Sequence, residues 1–292
     1  MRRLVVLVNP SASGGRAIQR VPAVISELDR LGAPHRVVET RSAEHAGEVA
    51  SAAPAANETV LAVGGDGSLR PLAKALRGTD AALALVPAGR GNDLARVLGV
   101  PGDATAAARL AVEGDVRAID VAEVDGVPYL GIASFGFDSE ANAIANRARL
   151  VRGRLVYLYA GLRVLATWRQ AGFTVVVDGR RHEVAGYSIA VANSSGYGGG
   201  MRIAPAALLD DGLLDVVATG RCSKLRFLRL LVKVFRGTHV DDPSVVTLRG
   251  AVVEVAADRD FEIYADGDPI GTVPARMTLA SRSLYVIVPA SR

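Results

Sequence analysis

Val60-Leu61-Ala62-Val63-Gly64-Gly65-Asp66-Gly67-Ser68 reads as a strand, a glycine-rich turn and a helix start. Four apolar residues, two of them valines, make a short strand of the kind buried in a parallel sheet. Beyond Ser68, Leu69, Leu72, Ala73 and Leu76 recur at i, i+3, i+4 and i+7, one face of a helix. Ser68 is placed to cap that helix and Gly78 to end it. The glycines allow backbone N–H groups to approach phosphate oxygens, and the helix dipole favours an anion there. Asp66 would repel a phosphate unless a cation bridges the two, so the loop predicts Mg2+. A tight βα turn without a ligand is the plainer alternative.

The flanking chain repeats the pattern. Leu4–Val8 reads as a strand, followed by Asn9-Pro10-Ser11-Ala12-Ser13-Gly14-Gly15 and a helical face at Val21, Val24, Ile25, Leu28 and Leu31. Arg36–Glu39 is a second strand and Ala43–Ala53 a helix. A fourth strand, Leu83–Val86, leads into Pro87-Ala88-Gly89-Arg90-Gly91-Asn92-Asp93 and another helix start. Alternating strands and helices predict βαβ units and a parallel sheet. Ligands of such sheets sit beyond the carboxyl ends of the strands, so the three small, Gly-rich loops are expected at one site.

After residue 123 the texture changes, which divides the chain into 1–123 and 124–292. Val121–Val124, Asp125-Gly126 and Val127–Ile132 predict a hairpin. Helical patterns follow at 137–148 and 153–170. Strands then dominate: 173–177, 182–185, 187–193, 214–219, 245–248, 252–256, 261–265, 277–280 and 284–288. This predicts an antiparallel second domain of sandwich type.

Half of the 292 residues are hydrophobic and the mean hydropathy is +0.25, enough for a sizeable core. No apolar run reaches the roughly 18 residues of a membrane span, and Met1-Arg2-Arg3 leads directly into a strand. Cys222 is the only cysteine, which excludes an internal disulfide and fits a reducing, cytoplasmic setting. The net charge of +4 suits anionic membrane surfaces or phosphorylated substrates, and no motif supports nucleic acid. There is no G-x-x-x-x-G-K-[ST], no dinucleotide G-x-G-x-x-G after the first strand and no G-x-S-x-G elbow. The four histidines lack metal-ligand spacing.

Gly64-Gly65-Asp66-Gly67-Ser68 resembles the GGDG[TS] signature shared by diacylglycerol, sphingosine and NAD kinases and phosphofructokinases. Asn9-Pro10, Ser13-Gly14-Gly15, the Pro87–Asp93 loop and Ile119-Asp120-Val121 together resemble the diacylglycerol kinase catalytic domain. Gly198-Gly199-Gly200, Ala204-Pro205-Ala206, Asp210-Asp211-Gly212-Leu213 and Ala265-Asp266-Gly267-Asp268 resemble the later motifs of bacterial soluble lipid kinases. The resemblance covers essentially the whole chain. It implies an N-terminal α/β nucleotide-binding domain of NAD kinase/phosphofructokinase type and a C-terminal antiparallel β-sandwich, with Leu284–Val288 returning to the first domain.

The same resemblance implies Mg2+-dependent transfer of phosphate from ATP to a lipid hydroxyl, with diacylglycerol as the default acceptor. Phosphatidylglycerol, sphingoid and polyprenol lipids, an NAD kinase and a non-catalytic nucleotide or lipid sensor are the alternatives. It assigns the general base to Asp266, although Asp-Gly is also a common hairpin turn. Asn9, Ser13, Thr40, Gly64, Gly65, Asp66, Gly67, Ser68, Gly89, Arg90, Asn92 and Asp268 fall to the nucleotide. Asp66, Asp93 and Asp120 fall to the catalytic Mg2+. Asp211, with the carbonyls of Leu208 and Leu213, falls to a structural Mg2+. Arg90 departs from the family's usual Thr; it could pair with phosphate or block the contact.

An enzyme acting on a membrane lipid must reach the bilayer. In Arg221–Arg236, Leu225, Leu228, Val232 and Phe235 share a helical stripe, with Arg226, Arg229, Lys233 and Arg236 one residue behind. Arg147–Arg169 has a similar character. Either could lie on an anionic membrane, or pack on the sheet with snorkelling arginines. A peripheral, membrane-associated protein is the expectation, and a homodimer is compatible with it.

Overall fold

The computed structural model describes residues 1–10, 14–147 and 155–290. The chain forms two compact units. The first comprises Met1–Val121, Leu209–Asp211 and the chain from Ala280 on; the second comprises Ala122–Leu208 and Gly212–Leu279.

In the first unit, strands and helices alternate as the apolar periodicity predicts: β1 (Arg3–Val8), α1 (Arg16–Arg30), β2 (His35–Glu39), α2 (Ala43–Ala52), β3 (Glu58–Gly64), α3 (Leu69–Leu76), β4 (Ala82–Pro87), α4 (Asp93–Val97) and α5 (Ala104–Glu113). β1 lies between β2 and β3, and β4 lies beyond β3, all parallel. β3 is buried along its whole length, and the α3 stripe of Leu69, Leu72, Ala73 and Leu76 is buried too. All three glycine-rich loops therefore leave the carboxyl ends of adjacent strands.

The last strand, β15 (Ala275–Val288), starts in the second unit and ends in the first, where Tyr285 and Val286 run parallel to Ala82 and Leu83. It is one strand, where the sequence predicts two. Arg282 takes a left-handed conformation (φ 47°), and its N–H donates to Asp120 Oδ1 at 2.7 Å. That local bend accounts for the gap in the pattern at 281–283.

The second unit is antiparallel. β5 (Asp115–Val124) enters it from the first and turns at Asp125-Gly126 into β6 (Val127–Tyr129). Then come β7 (Ile132–Gly136), α6 (Phe137–Arg147), α7 (Leu155–Thr167), β8 (Ala171–Val177), β9 (Arg180–Ala192), β10 (Leu214–Gly220), α8 (Lys224–Val234), β11 (Val245–Gly250), β12 (Val253–Ala257), β13 (Glu262–Ala265) and β14 (Asp268–Thr272). β9 is also one strand, where 182–185 and 187–193 are predicted separately. Gly186 does not break it. A Cβ there would come within 2.6 Å of Gly220 Cα, so the glycine permits close approach to β10. The amino half of β9 pairs with β8, and its carboxyl half pairs with β7 and β10.

The core of this unit is aromatic at one end. Phe137 meets Trp168, Tyr187 and Phe227 edge to face, and Tyr187 stacks on Phe227 with ring centroids 4.0 Å apart. Such pairs contribute roughly 0.5–1.5 kcal/mol beyond their buried area. Phe227 thereby fixes α8 on the core. Among the described residues no helix is long and apolar enough to cross a membrane.

Candidate active site

The β3 and β4 loops are built against each other. Ala88 N–H donates to Gly64 O at 2.7 Å, and a Cβ on Gly89 would lie 2.6 Å from Gly65 Cα. Only glycine admits that backbone contact. Asn92 holds the second loop closed. Its Oδ1 accepts from Gly89 N–H at 2.7 Å, and its Nδ2 donates to Gly89 O at 3.2 Å. The residue is left-handed (φ 52°, ψ 45°), a conformation that Asn tolerates better than most residues. Arg96 bridges back to the loop through Gly91 O at 3.1 Å and Asp93 at 2.9 Å.

Ser68 does not cap α3 with its side chain. The turn Asp66–Ser68 is a tight 3-10 turn, and the Ser68 hydroxyl donates to Gly65 O at 2.7 Å. Gly67 has open space where a side chain would project. Thr40 is buried at the end of β2, its N–H and hydroxyl both directed to Val8 O at 2.8 and 3.3 Å. Its hydroxyl is thus engaged by the sheet. Asn9 follows β1 and is half-buried, and Arg90 is exposed on its loop. Ser13 lies outside the described residues.

Asp66 reaches from one loop to the other. Its Oδ1 accepts the Leu94 N–H at 3.3 Å, and the N–H groups of Asp93 and Asn92 also face it. Burial pushes its carboxyl above the ordinary carboxylate value, and the nearby charge of Asp93 pushes the same way. Two carboxylates held close in a partly buried place fit a hard cation that keeps water and phosphate oxygens as its other ligands. The third expected partner is not gathered with them. Asp120 is fully buried on β5 and holds Arg282 N–H, and no three His, Cys, Asp or Glu side chains converge on a metal position among the described residues. Asp211 stands in the turn between Leu208 and Leu213, and Asp210 beside it is paired with Arg117 at 2.8 Å.

In the second unit Asp266 opens the turn from β13 to β14, with Asp268 starting β14 opposite Ala265. Asp266 is left-handed (φ 52°), and its carboxylate accepts Leu130 N–H at 2.8 Å and Gly131 N–H at 2.9 Å. A Cβ on Gly131 would collide with Oδ1 of Asp266, so glycine there permits the bond. The other Asp-Gly turns are built alike. Asp125 (φ 47°) accepts Arg276 N–H at 3.0 Å, and Asp178 (φ 48°) accepts Val252 N–H at 2.9 Å.

What separates Asp266 is its company. Its charge acts on two tyrosines, the buried Tyr129 and the half-buried Tyr197, and helps hold both hydroxyls well above their ordinary values, desolvation being the larger cause. Tyr197 also feels Asp138 and accepts from Asn142 Nδ2 at 3.5 Å, with the buried Ser134 hydroxyl in range. Asp138 opens α6, and burial pushes its carboxyl up to about 6 against a bond from Ser188. Asp138, Tyr197, Asn142 and Ser134 carry no sequence motif; only the fold brings the other three to Tyr197 and sets Tyr197 in the field of Asp266.

Asp138 gives a pH prediction. Its folded value of about 6 lies above the ordinary 3.8, so the folded state binds the extra proton between these values. Stability is therefore full below about pH 4 and falls as pH rises to about 6. Asp138→Asn is expected to be more stable than the parent above pH 6, by about 3 kcal/mol, and to melt at a higher temperature there, while the two melt alike at pH 4. Thermal melts across that range check it; a lower melting point for the variant at pH 8 would contradict it.

The chain matches the diacylglycerol kinase catalytic domain over residues 3–124 and the YegS C-terminal NAD kinase beta sandwich-like domain over residues 131–288. It is 35% identical to a diacylglycerol kinase of Mycobacterium tuberculosis, covering 98% of this chain and 95% of that one. It is 34% identical to a Pseudomonas fluorescens protein named "Probable lipid kinase YegS-like", covering 82% and 81%. A crystal structure of a diacylglycerol kinase from Bacillus anthracis superimposes with a TM-score of 0.77 at 20% identity, covering 98% and 96% of the two chains, which establishes the shared fold. The glycine loops on adjacent parallel strands, the Asp-Gly turn of the antiparallel unit and these matches agree: the chain belongs to the diacylglycerol kinase and YegS-like lipid kinase family.

Proposed function

We propose that the protein transfers the γ-phosphate of ATP to the hydroxyl of a membrane lipid, with diacylglycerol as the first acceptor to test and phosphatidic acid as its product. The observation that carries this reading is Asp266, fixed by two backbone N–H groups beside two tyrosines, unlike the otherwise similar turns at Asp125 and Asp178. A carboxylate so oriented suits a base that takes the proton of the acceptor hydroxyl as its oxygen bonds to phosphorus and the bond to ADP breaks.

In the first unit, Gly64, Gly65 and Gly67 offer backbone N–H groups to phosphate oxygens, Gly89 lets the second loop close on the first, and Arg90, exposed on that second loop, supplies a cation. Asp66 and Asp93 would hold Mg2+. The ion supplies neutralisation of phosphate charge during transfer. A second ion at Asp211, with the carbonyls of Leu208 and Leu213, belongs to the same reading and has the oxygen donors a hard cation takes.

Labelled ATP offered with diacylglycerol, phosphatidylglycerol, ceramide, sphingosine, undecaprenol or NAD tests the assignment. Label in a lipid is expected, strongest in diacylglycerol. Label in NAD alone would overturn it.

A further inference from the structure

The two sequence readings of Arg221–Arg236 can now be separated. α8 is held on the core by Phe227, Leu230 and Val234, all buried. The stripe of Leu225, Leu228, Val232 and Phe235 does not pack on the sheet. These residues are 62, 36, 72 and 57% exposed. At about 100° per residue they span roughly an 80° arc that faces away from the anchored side.

Cations line one edge of that arc. Residues 221–237 contain six basic side chains and no acidic one. Arg226 is paired with Asp242 at 2.8 Å, but Arg229, Lys233 and Arg236 are exposed and make no ion pair among the described residues. Arg202, also exposed, joins the end of the helix through its N–H to Val234 O at 2.9 Å. Four large apolar side chains in water, edged by cations, have the pattern of a helix lying in a membrane interface. The cations select anionic headgroups, and the apolar arc reaches the acyl boundary.

We propose that this face of α8 is the surface by which the protein docks on an anionic bilayer. The inference rests on the lipid-kinase reading for its purpose but not for its test. The full chain is floated with vesicles of phosphatidylcholine, with and without phosphatidylglycerol, at low and high salt. Binding to the anionic vesicles alone, released by salt, is expected. R229Q/K233Q/R236Q should weaken partitioning about a hundredfold, and L225S/V232S/F235S by at least about tenfold. Neither variant disturbs the buried side of the helix.

Unchanged partitioning in both variants, or no binding by the parent protein, would overturn the proposal. So would a dimer that L225S/V232S/F235S converts to a monomer without loss of vesicle binding, since the face would then belong to a second copy. Turnover of a short-chain diacylglycerol in solution separates the two ideas. Both variants should retain it; its absence in the parent protein counts against the lipid-kinase reading and leaves the vesicle result standing.

Discussion

Asp266→Asn is expected to lower kcat by about a thousandfold, the range general-base catalysis supplies. The chain contains its own controls. Asp125 and Asp178 occupy the same left-handed Asp-Gly turn; Asp125 accepts the Arg276 N–H of β15, and Asp178 accepts the Ala251 and Val252 N–H groups of the turn between β11 and β12. In all three, Asn keeps one acceptor oxygen but turns an amide towards the other contact or loses the charge. Each change should therefore cost about 1.5–3 kcal/mol of stability, the worth of a hydrogen bond to a charged group. Asp125→Asn and Asp178→Asn should stop there and leave kcat near the parent value. Melting temperatures and steady-state kinetics on the three variants together decide the point. A similar fall in kcat for all three would show the turns to be structural alike. A fall confined to Asp266→Asn would separate chemistry from architecture.

The parallel half of the fold was legible because β1, β3 and β4 are largely apolar and the loops that follow them are marked by glycine. β3 and the stripe of α3 were read from spacing alone and lie where the spacing put them. Interruptions in a strand were the harder case. Gly186 and Ser281-Arg282-Ser283 read as turns, but the first is a close backbone approach and the second a bend that Asp120 holds from β5. Both depend on a partner far away in sequence, so no local pattern could reveal them. The same limit applies to the site. Asp66, Asp93 and Asp266 belong to recognisable loops. Tyr197, on which Asp138 and Asn142 also act, feels Asp266 only because β7, β9 and β13 are neighbours in the sheet.

Asp66 offers the second large effect, and its stability makes it diagnostic. Its carboxylate is partly buried beside Asp93, so its charge is opposed by burial and by a like charge. Three N–H groups, of Asn92, Asp93 and Leu94, favour that charge, and Asn can still accept from them through Oδ1. If Asp66 only tied the loops together, Asp66→Asn would be nearly silent in activity. If it holds Mg2+ with Asp93, kcat/KM should fall by on the order of 100- to 1,000-fold and recover partly at high Mg2+. Without Mg2+ the variant should melt no lower than the parent, since the repulsion from Asp93 is gone. Asp120→Asn should behave in the opposite way. Its carboxylate supports the bend of β15 through Arg282 N–H, so the variant should lose stability while its Mg2+ dependence stays that of the parent. Mg2+ titrations of activity, run beside melts with and without the ion, give both comparisons. A drop in melting temperature for Asp66→Asn with unchanged Mg2+ dependence would assign the residue to the loops and leave the ion to other ligands.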